Sequence, residues 1–182
     1  MKNCLIIVNT HKKESQEMGQ FISEYLKRKN IDSRFFSFDG FTDGMPCGAK
    51  KNPFESVDFV VTLGGDGTVL FAARGCVEHE IPVFPVNFGE FGFIASIQKD
   101  EWKRELDLFL EGKAKIAERN MLQAVVIDGK TGKDVYFGTG LNDIVISAKM
   151  ASRTILMGVD YNYVSLGNEL YGVDIMSVKE IV

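Results

Sequence analysis

The sequence predicts an α/β protein: an N-terminal open parallel α/β sheet followed by a mostly antiparallel β domain. Three observations carry that prediction. Apolar runs of strand length alternate with amphipathic helical stretches over about the first 95 residues, as parallel sheets with crossover helices require. A glycine turn stands between one such strand and the next helix, at Gly64–Thr68. From Asn120 onward the pattern changes to short β runs separated by a turn signal. Two domains follow from this change: 1–98, which holds the glycine turn, and a β-rich 99–182.

Leu5-Ile6-Ile7-Val8 is a continuous apolar run suited to a strand covered on both faces, and it ends at Asn9-Thr10. Between Lys12 and Lys29 the residues Met18, Phe21, Ile22, Tyr25 and Leu26 recur at helical spacing, which predicts a helix packed on the sheet. Ser33–Phe38 reads as the next strand. The Gly- and Pro-containing stretch from Asp39 to Pro53 reads as a loop. A strand over Val57–Leu63, a helix over Thr68–Val77 and a strand over Ile81–Val86 complete the first region. Ligands of such sheets bind beyond the carboxyl ends of the strands, where Asn9, Gly64–Thr68 and Asn87 all fall.

Asp100–Glu111 predicts a helix with Trp102, Leu106, Phe109 and Leu110 on one side and Gly112 as its stop signal. Leu122–Ile127, the turn Asp128–Gly132 and Val135–Phe137 form a hairpin signature, and Leu141–Ser147 and Thr154–Tyr163 extend the β pattern.

Composition narrows the partners. Hydrophobic residues make up 45% and charged residues 25%, an ordinary balance for a globular chain. With 21 Lys+Arg against 25 Asp+Glu the net charge is −4, so no global basic field draws nucleic acid or anionic lipid, and small molecules fit better. Cys4, Cys47 and Cys76 form no C-x-x-C pair, which argues against a disulfide framework or structural zinc and for a reducing cytoplasm. No apolar stretch reaches about 18 residues, so no membrane span is expected. His11 and His79 lie among charged neighbours and read as surface residues.

The glycine turn carries the chemistry. Three glycines around one acid permit a sharp turn and leave main-chain N–H groups bare for phosphate oxygens. A cluster of this kind is also compatible with an ordinary tight βα turn; Asp66-Gly67-Thr68 at the helix entrance favours phosphate chemistry.

Gly64-Gly65-Asp66-Gly67-Thr68 resembles a run found in NAD kinases, and diacylglycerol and sphingosine kinases carry a similar one. Asn87-Phe88-Gly89-Glu90-Phe91-Gly92-Phe93-Ile94 is similar to the N-x-G-x-x-G-F motif that separates NAD kinases from the lipid kinases. Glu118-Arg119-Asn120-Met121-Leu122 resembles their R-x-M-L, and Leu141-Asn142-Asp143-Ile144 their N-[DE] strand. The resemblance implies an enzyme that moves a phosphoryl group from ATP or polyphosphate to the adenosine ribose 2′-hydroxyl of NAD.

It further implies that Asp66 is the base, that Gly64, Gly65, Gly67, Thr68 and Asn9 meet the donor phosphates, and that Asp66, Gly67, Phe93, Asn142, Asp143 and Asp174 contact NAD. Mg²⁺ would arrive on the ATP phosphates rather than in a protein cage. The family's T-P-T-G-S-T-A-Y segment has no counterpart: Tyr171–Asp174 resembles its approach, and Ile175–Val182 does not match. A truncated, frame-shifted or fragmentary member is therefore expected, with unpaired β edges that favour a homodimer or homotetramer. A nucleotide-binding remnant without turnover and a lipid kinase are the competing readings.

Overall fold

The computed structural model describes residues 2–40, 52–90, 92–128 and 130–145, together with the backbone of 163–166, 169–172 and 176–181. The chain divides into two compact units, Met1–Arg119 with Ser177–Val182, and Asn120–Met176.

The first unit is built on parallel strands. Strand β1 (Lys2–Asn9) pairs with β2 (Ile31–Phe38) on one side and β3 (Phe59–Gly64) on the other, and β3 pairs with β4 (Val83–Asn87). Residues 4–8 of β1, all of β3 and residues 83–86 of β4 are built from apolar or small side chains, and β3 and β4 are buried along their whole length. That is what a central parallel strand with helices on both faces demands. β2 has one buried residue at each end and exposed or half-buried residues between them, as befits an edge.

The helices sit where the periodicity placed them. Helix α1 (Lys13–Arg28) buries Ser15, Gly19, Ile22 and Leu26, a stripe at three- and four-residue steps. Its Ile22 and Leu26 join Ile6, Val8, Val61, Leu63, Phe84 and Val86 in one core cluster. Leu106 of α3 (Trp102–Leu110) enters the same cluster, and Phe109 of α3 meets Phe59 edge-on with ring centres 5.2 Å apart. Helix α2 (Asp66–Cys76) puts Phe71 against Phe36 and Phe38, with centroids 5.3 and 4.8 Å away. The alternation of β2 thus sends Phe36 and Phe38 toward α2. Phe35 points the other way, against Gly19 of α1.

The strand order β2-β1-β3-β4 positions the site. From β1 the chain crosses to β2 on one side, whereas from β3 it crosses to β4 on the other. The order therefore reverses between β1 and β3, and a crevice opens beyond their carboxyl ends. Asn9 ends β1 and Gly64 ends β3, so these two residues flank the switch point.

Strand β5 (Ile116–Ile127), which lies in the second unit from Asn120 onward, and β6 (Asp134–Gly140) form the expected antiparallel hairpin, with Leu122 opposite Gly140 and Val125 opposite Phe137. Asp128 closes the turn by accepting the N–H groups of Lys130 and Thr131. β7 (Tyr163–Leu166) and β8 (Glu169–Gly172) form a second antiparallel pair.

The structure differs from the sequence reading in three places. Helix α2 begins at Asp66 rather than Thr68, because Gly65 rather than Gly67 is the N-cap. Residues 141–145 form a bend and not the strand expected over Leu141–Ser147. The chain folds back there so tightly that a Cβ on Gly140 would lie 2.5 Å from the Asp143 carbonyl oxygen. Met176–Ile181, which matched no motif, forms a strand, β9, parallel to β4 with Glu180 beside Val83. Residues 41–51, within the expected loop, and 146–147 and 154–162, within the expected last strands, lie outside the described residues.

Candidate functional site

The site begins with the geometry of the glycine turn. Gly64 is buried, and a Cβ there would fall 2.0 Å from Thr68 Oγ1, so only glycine fits. Gly65 and Gly67 differ: a Cβ on either would meet nothing within 4 Å. Those two residues face open space, and the absence of a side chain leaves the main chain accessible there.

The first turn of a helix has N–H groups with no helical partner. Thr68 N–H and Val69 N–H fold back on the Gly65 carbonyl, at 2.9 and 3.4 Å. Among the described residues, nothing accepts from the N–H of Asp66 or Gly67. These two donors stand at the positive end of the helix dipole, beside the open space at Gly65 and Gly67. Thr68 itself is buried, and its hydroxyl packs on Gly64 with no hydrogen-bond partner among the described residues.

Asp66 is partly buried and is pinned. Its Oδ1 accepts the backbone N–H groups of Ile94 at 3.1 Å and Ala95 at 3.0 Å. Among the described residues Oδ2 has no hydrogen-bond partner, so one oxygen is held and the other is available to a ligand. The turn that supplies both N–H groups is itself tightly folded. Asn87 Oδ1 accepts the Gly89 N–H at 2.7 Å, and a Cβ on Gly92 would lie 2.4 Å from the Ala95 carbonyl and 2.7 Å from Asn87 Nδ2. Phe93, beside Ile94, is 82% exposed.

A third loop joins these two. Phe88 N–H donates to the Gly64 carbonyl at 2.7 Å, and the Phe88 carbonyl accepts from the Lys12 ammonium. Asn9 uses its Oδ1 for the His11 N–H at 2.9 Å and its carbonyl for Lys12 N–H and the Ser15 hydroxyl. Asn9, Gly64, Gly65, Asp66, Gly67 and Phe93 thus all lie at or just beyond the carboxyl ends of β1, β3 and β4. Asn142 and Asp143 are exposed on the bend after β6 in the second unit, and Asp174 lies outside the described residues. His11 and His79 are exposed, as expected.

Lys12 and the Ile94–Ala95 N–H pair escaped the sequence reading. Backbone donors leave no mark in side-chain identity, and Lys12 reads only as one more polar residue at a helix start.

A pinned carboxylate on a glycine turn stands at the switch point of an open parallel α/β sheet, beyond the carboxyl ends of the strands, where sheets of this class commonly bind their ligands. Residues 48–114, which contain both the turn and the Asn87–Phe93 segment, match the ATP-NAD kinase N-terminal domain. The chain is 35% identical to the NAD kinase of Treponema denticola over 92% of this chain and 56% of that protein. It is 34% identical to the NAD kinase of Solibacter usitatus over 85% of this chain and 54% of that one. The chain is thus similar to NAD kinases over most of its own length, and it spans about half the length of these relatives. A crystal structure of yeast NADH kinase complexed with NADH superposes with a TM-score of 0.61 at 16% identity, covering 78% of this chain and 44% of that one, which shows a shared fold. No helix among the described residues is long and apolar enough to cross a membrane.

Proposed function

We propose that this chain carries the phosphoryl-transfer site of an NAD kinase, which moves a phosphoryl group from ATP or polyphosphate to the adenosine ribose 2′-hydroxyl of NAD. The observation that carries this reading is the Asp66 carboxylate, with one oxygen held by Ile94 and Ala95 and the other available beside the bare N–H groups of the turn. A ribose hydroxyl is a poor nucleophile until a base takes its proton. A positioned carboxylate contributes roughly 10²–10⁴ in rate.

In this reading Asp66 Oδ2 accepts the 2′-hydroxyl proton as the ribose oxygen attacks the terminal phosphorus. The bond from that phosphorus to the rest of the donor breaks, releasing ADP or a shortened polyphosphate. Gly64, Gly65, Gly67 and Thr68 shape the phosphate cradle. The direct donors are the N–H groups of Asp66 and Gly67, while Thr68 packs the turn from beneath. Asn9 fixes the neighbouring loop.

Phe93 offers an exposed aromatic face for the adenine, and Asn142, Asp143 and Asp174 are the further NAD contacts assigned by the motifs. Among the described residues no group of three or more His, Cys, Asp or Glu could hold a metal. In this reading Mg²⁺ comes on the donor phosphates, where it would neutralise charge on the transferred group. We assign the chain to the cytoplasm on its cysteine pattern, and to a homo-oligomer on the apolar residues that the β5–β6 hairpin exposes, among them Val125, Val126, Tyr136 and Phe137.

The test is direct: purified protein incubated with NAD, ATP and Mg²⁺ and assayed for NADP, with Asp66→Asn as the control. NADP formation that depends on Asp66 supports the reading. Calorimetric binding of NAD or ATP by folded protein, without NADP, assigns the chain instead as a nucleotide-binding remnant.

A further inference from the structure

We propose that Lys12 is the cation of the phosphate-donor subsite, an inference that rests on reading Gly64–Thr68 as the donor turn. A polyphosphate brings several negative charges to this crevice. The turn offers only backbone N–H groups against them, and Asp66 adds a negative charge of its own. Transfer between such groups needs a full positive charge nearby.

Lys12 supplies one from across the switch point. Its ammonium donates to the Phe88 carbonyl, and the Phe88 N–H donates to the Gly64 carbonyl at 2.7 Å. The backbone of a single residue therefore separates the ammonium from the glycine turn. An ammonium has three donors, and the bond to Phe88 uses one.

The base of the side chain is also fixed. Lys12 N–H donates to the Asn9 carbonyl at 3.1 Å, and the Lys12 carbonyl accepts both the N–H and the hydroxyl of Ser15, at 3.0 and 2.7 Å. Ser15 is fully buried. Such anchoring limits the directions in which the lysine can extend.

The charges around it leave Lys12 available to a phosphate. Glu14, the nearby acid on α1, is engaged by Lys99, whose ammonium also lies 4.7 Å from the centre of the Phe88 ring. Among the described residues no carboxylate forms an ion pair with Lys12. Glu14 also feels the Lys12 charge, but more weakly than that of Lys99. A half-buried ammonium hydrogen-bonded to a neutral carbonyl gains more from an arriving anion than an exposed one does, because less water screens the pair.

The experiment is calorimetric titration of the whole protein with inorganic tripolyphosphate, with Mg²⁺ and ATP, and separately with NAD, comparing Lys12→Met and Lys12→Arg with the unmodified chain. Thermal melting checks that each variant folds. Lys12→Met should weaken tripolyphosphate binding about tenfold and leave NAD binding unchanged, while Lys12→Arg keeps the charge and stays within about threefold.

Equal tripolyphosphate affinity in Lys12→Met overturns the inference, and so does equal weakening toward tripolyphosphate and NAD, which would make the lysine a support for the Phe88 loop. An unmodified chain that binds no tripolyphosphate also overturns it. Lys12-dependent tripolyphosphate binding by a protein that makes no NADP leaves the inference standing and removes the kinase reading instead.

Discussion

The Ala95 N–H donates to Asp66 Oδ1 across 3.0 Å, so the carboxylate on the glycine turn is held by the end of a loop 29 residues further along the chain. Ile94 adds a second donor to the same oxygen. Two variants separate the structural part of this relationship from the chemical part. Asp66→Asn keeps an oxygen that can accept both N–H groups, so its melting temperature should stay close to that of the unmodified protein. Its NADP formation should fall by roughly 10²–10⁴, because an amide cannot take the hydroxyl proton. Asp66→Ala leaves two N–H groups without an acceptor and should lose stability as well, by about 1–3 kcal/mol for each group that water does not reach. Denaturant titration of the two variants beside an NADP assay checks both halves.

The glycines of the site should divide by what a methyl group would meet. Gly92→Ala would place Cβ 2.4 Å from the Ala95 carbonyl, so the loop must shift and the N–H pair moves off Asp66. A stability loss of about 1–3 kcal/mol is expected, together with a fall in NADP formation. Gly67→Ala meets nothing within 4 Å and should fold normally, while its methyl narrows the space in front of the turn. Melting curves and tripolyphosphate titration should therefore rank the two variants in opposite ways: Gly92→Ala costs more stability, and Gly67→Ala costs more phosphate affinity relative to any loss of stability.

Phe71 offers a test of the packing behind the turn. It is buried on α2 between Phe36, Phe38 and Phe54, and it lies on the same helix whose first residue is Asp66. Phe71→Ala should cost about 3–5 kcal/mol by urea unfolding. Phe71→Leu keeps most of the volume and should cost less.

The parallel half of the fold was legible because its strands are buried on both faces and its helices carry one apolar stripe. Leu5–Val8 and the Met18–Leu26 spacing each permit a single arrangement. Boundaries were less legible where backbone geometry decides them. Gly65 caps α2 through its extended backbone, with no side-chain signal, so the helix starts two residues earlier than the Thr68 reading. The strand expected after Leu141 failed for a related reason: Ile144 and Val145 carry strand propensity, yet the close return of the chain over Gly140 sets the local conformation. Of the candidate site, the glycine turn and its acid stand out by residue type alone. The contacts of Lys12 with Phe88 and of Ile94 and Ala95 with Asp66 carry no such mark, since they depend on neighbours brought in from other loops.

The contact between α1 and α3 gives the first unit a defined response to acid. Asp107 accepts the Tyr25 hydroxyl at 2.6 Å and the Lys29 ammonium at 2.5 Å, and these bonds, Lys29 first and Tyr25 second, hold its carboxyl below the ordinary range. A carboxyl depressed in the folded state stabilises the fold above its unfolded pKa and loses that contribution as pH falls through the folded value. The effect should therefore be complete at pH 6 and fade below about pH 4. Lys29 mirrors it, since Asp107 and then Tyr25 raise its pKa, so its share is present at neutral pH and is lost only when the solution is more alkaline than the ordinary lysine range. Asp107→Asn removes the charge while keeping an acceptor for Tyr25. Urea midpoints measured at pH 6 and pH 3 should show the unmodified protein more stable than Asp107→Asn at pH 6, with the gap shrinking at pH 3. Asp107 and Lys29 are each about one-third exposed or slightly more, so about 0.5 M salt should narrow the pH 6 gap too. A gap that stayed constant across both pH values would mean that the pair contributes through packing alone.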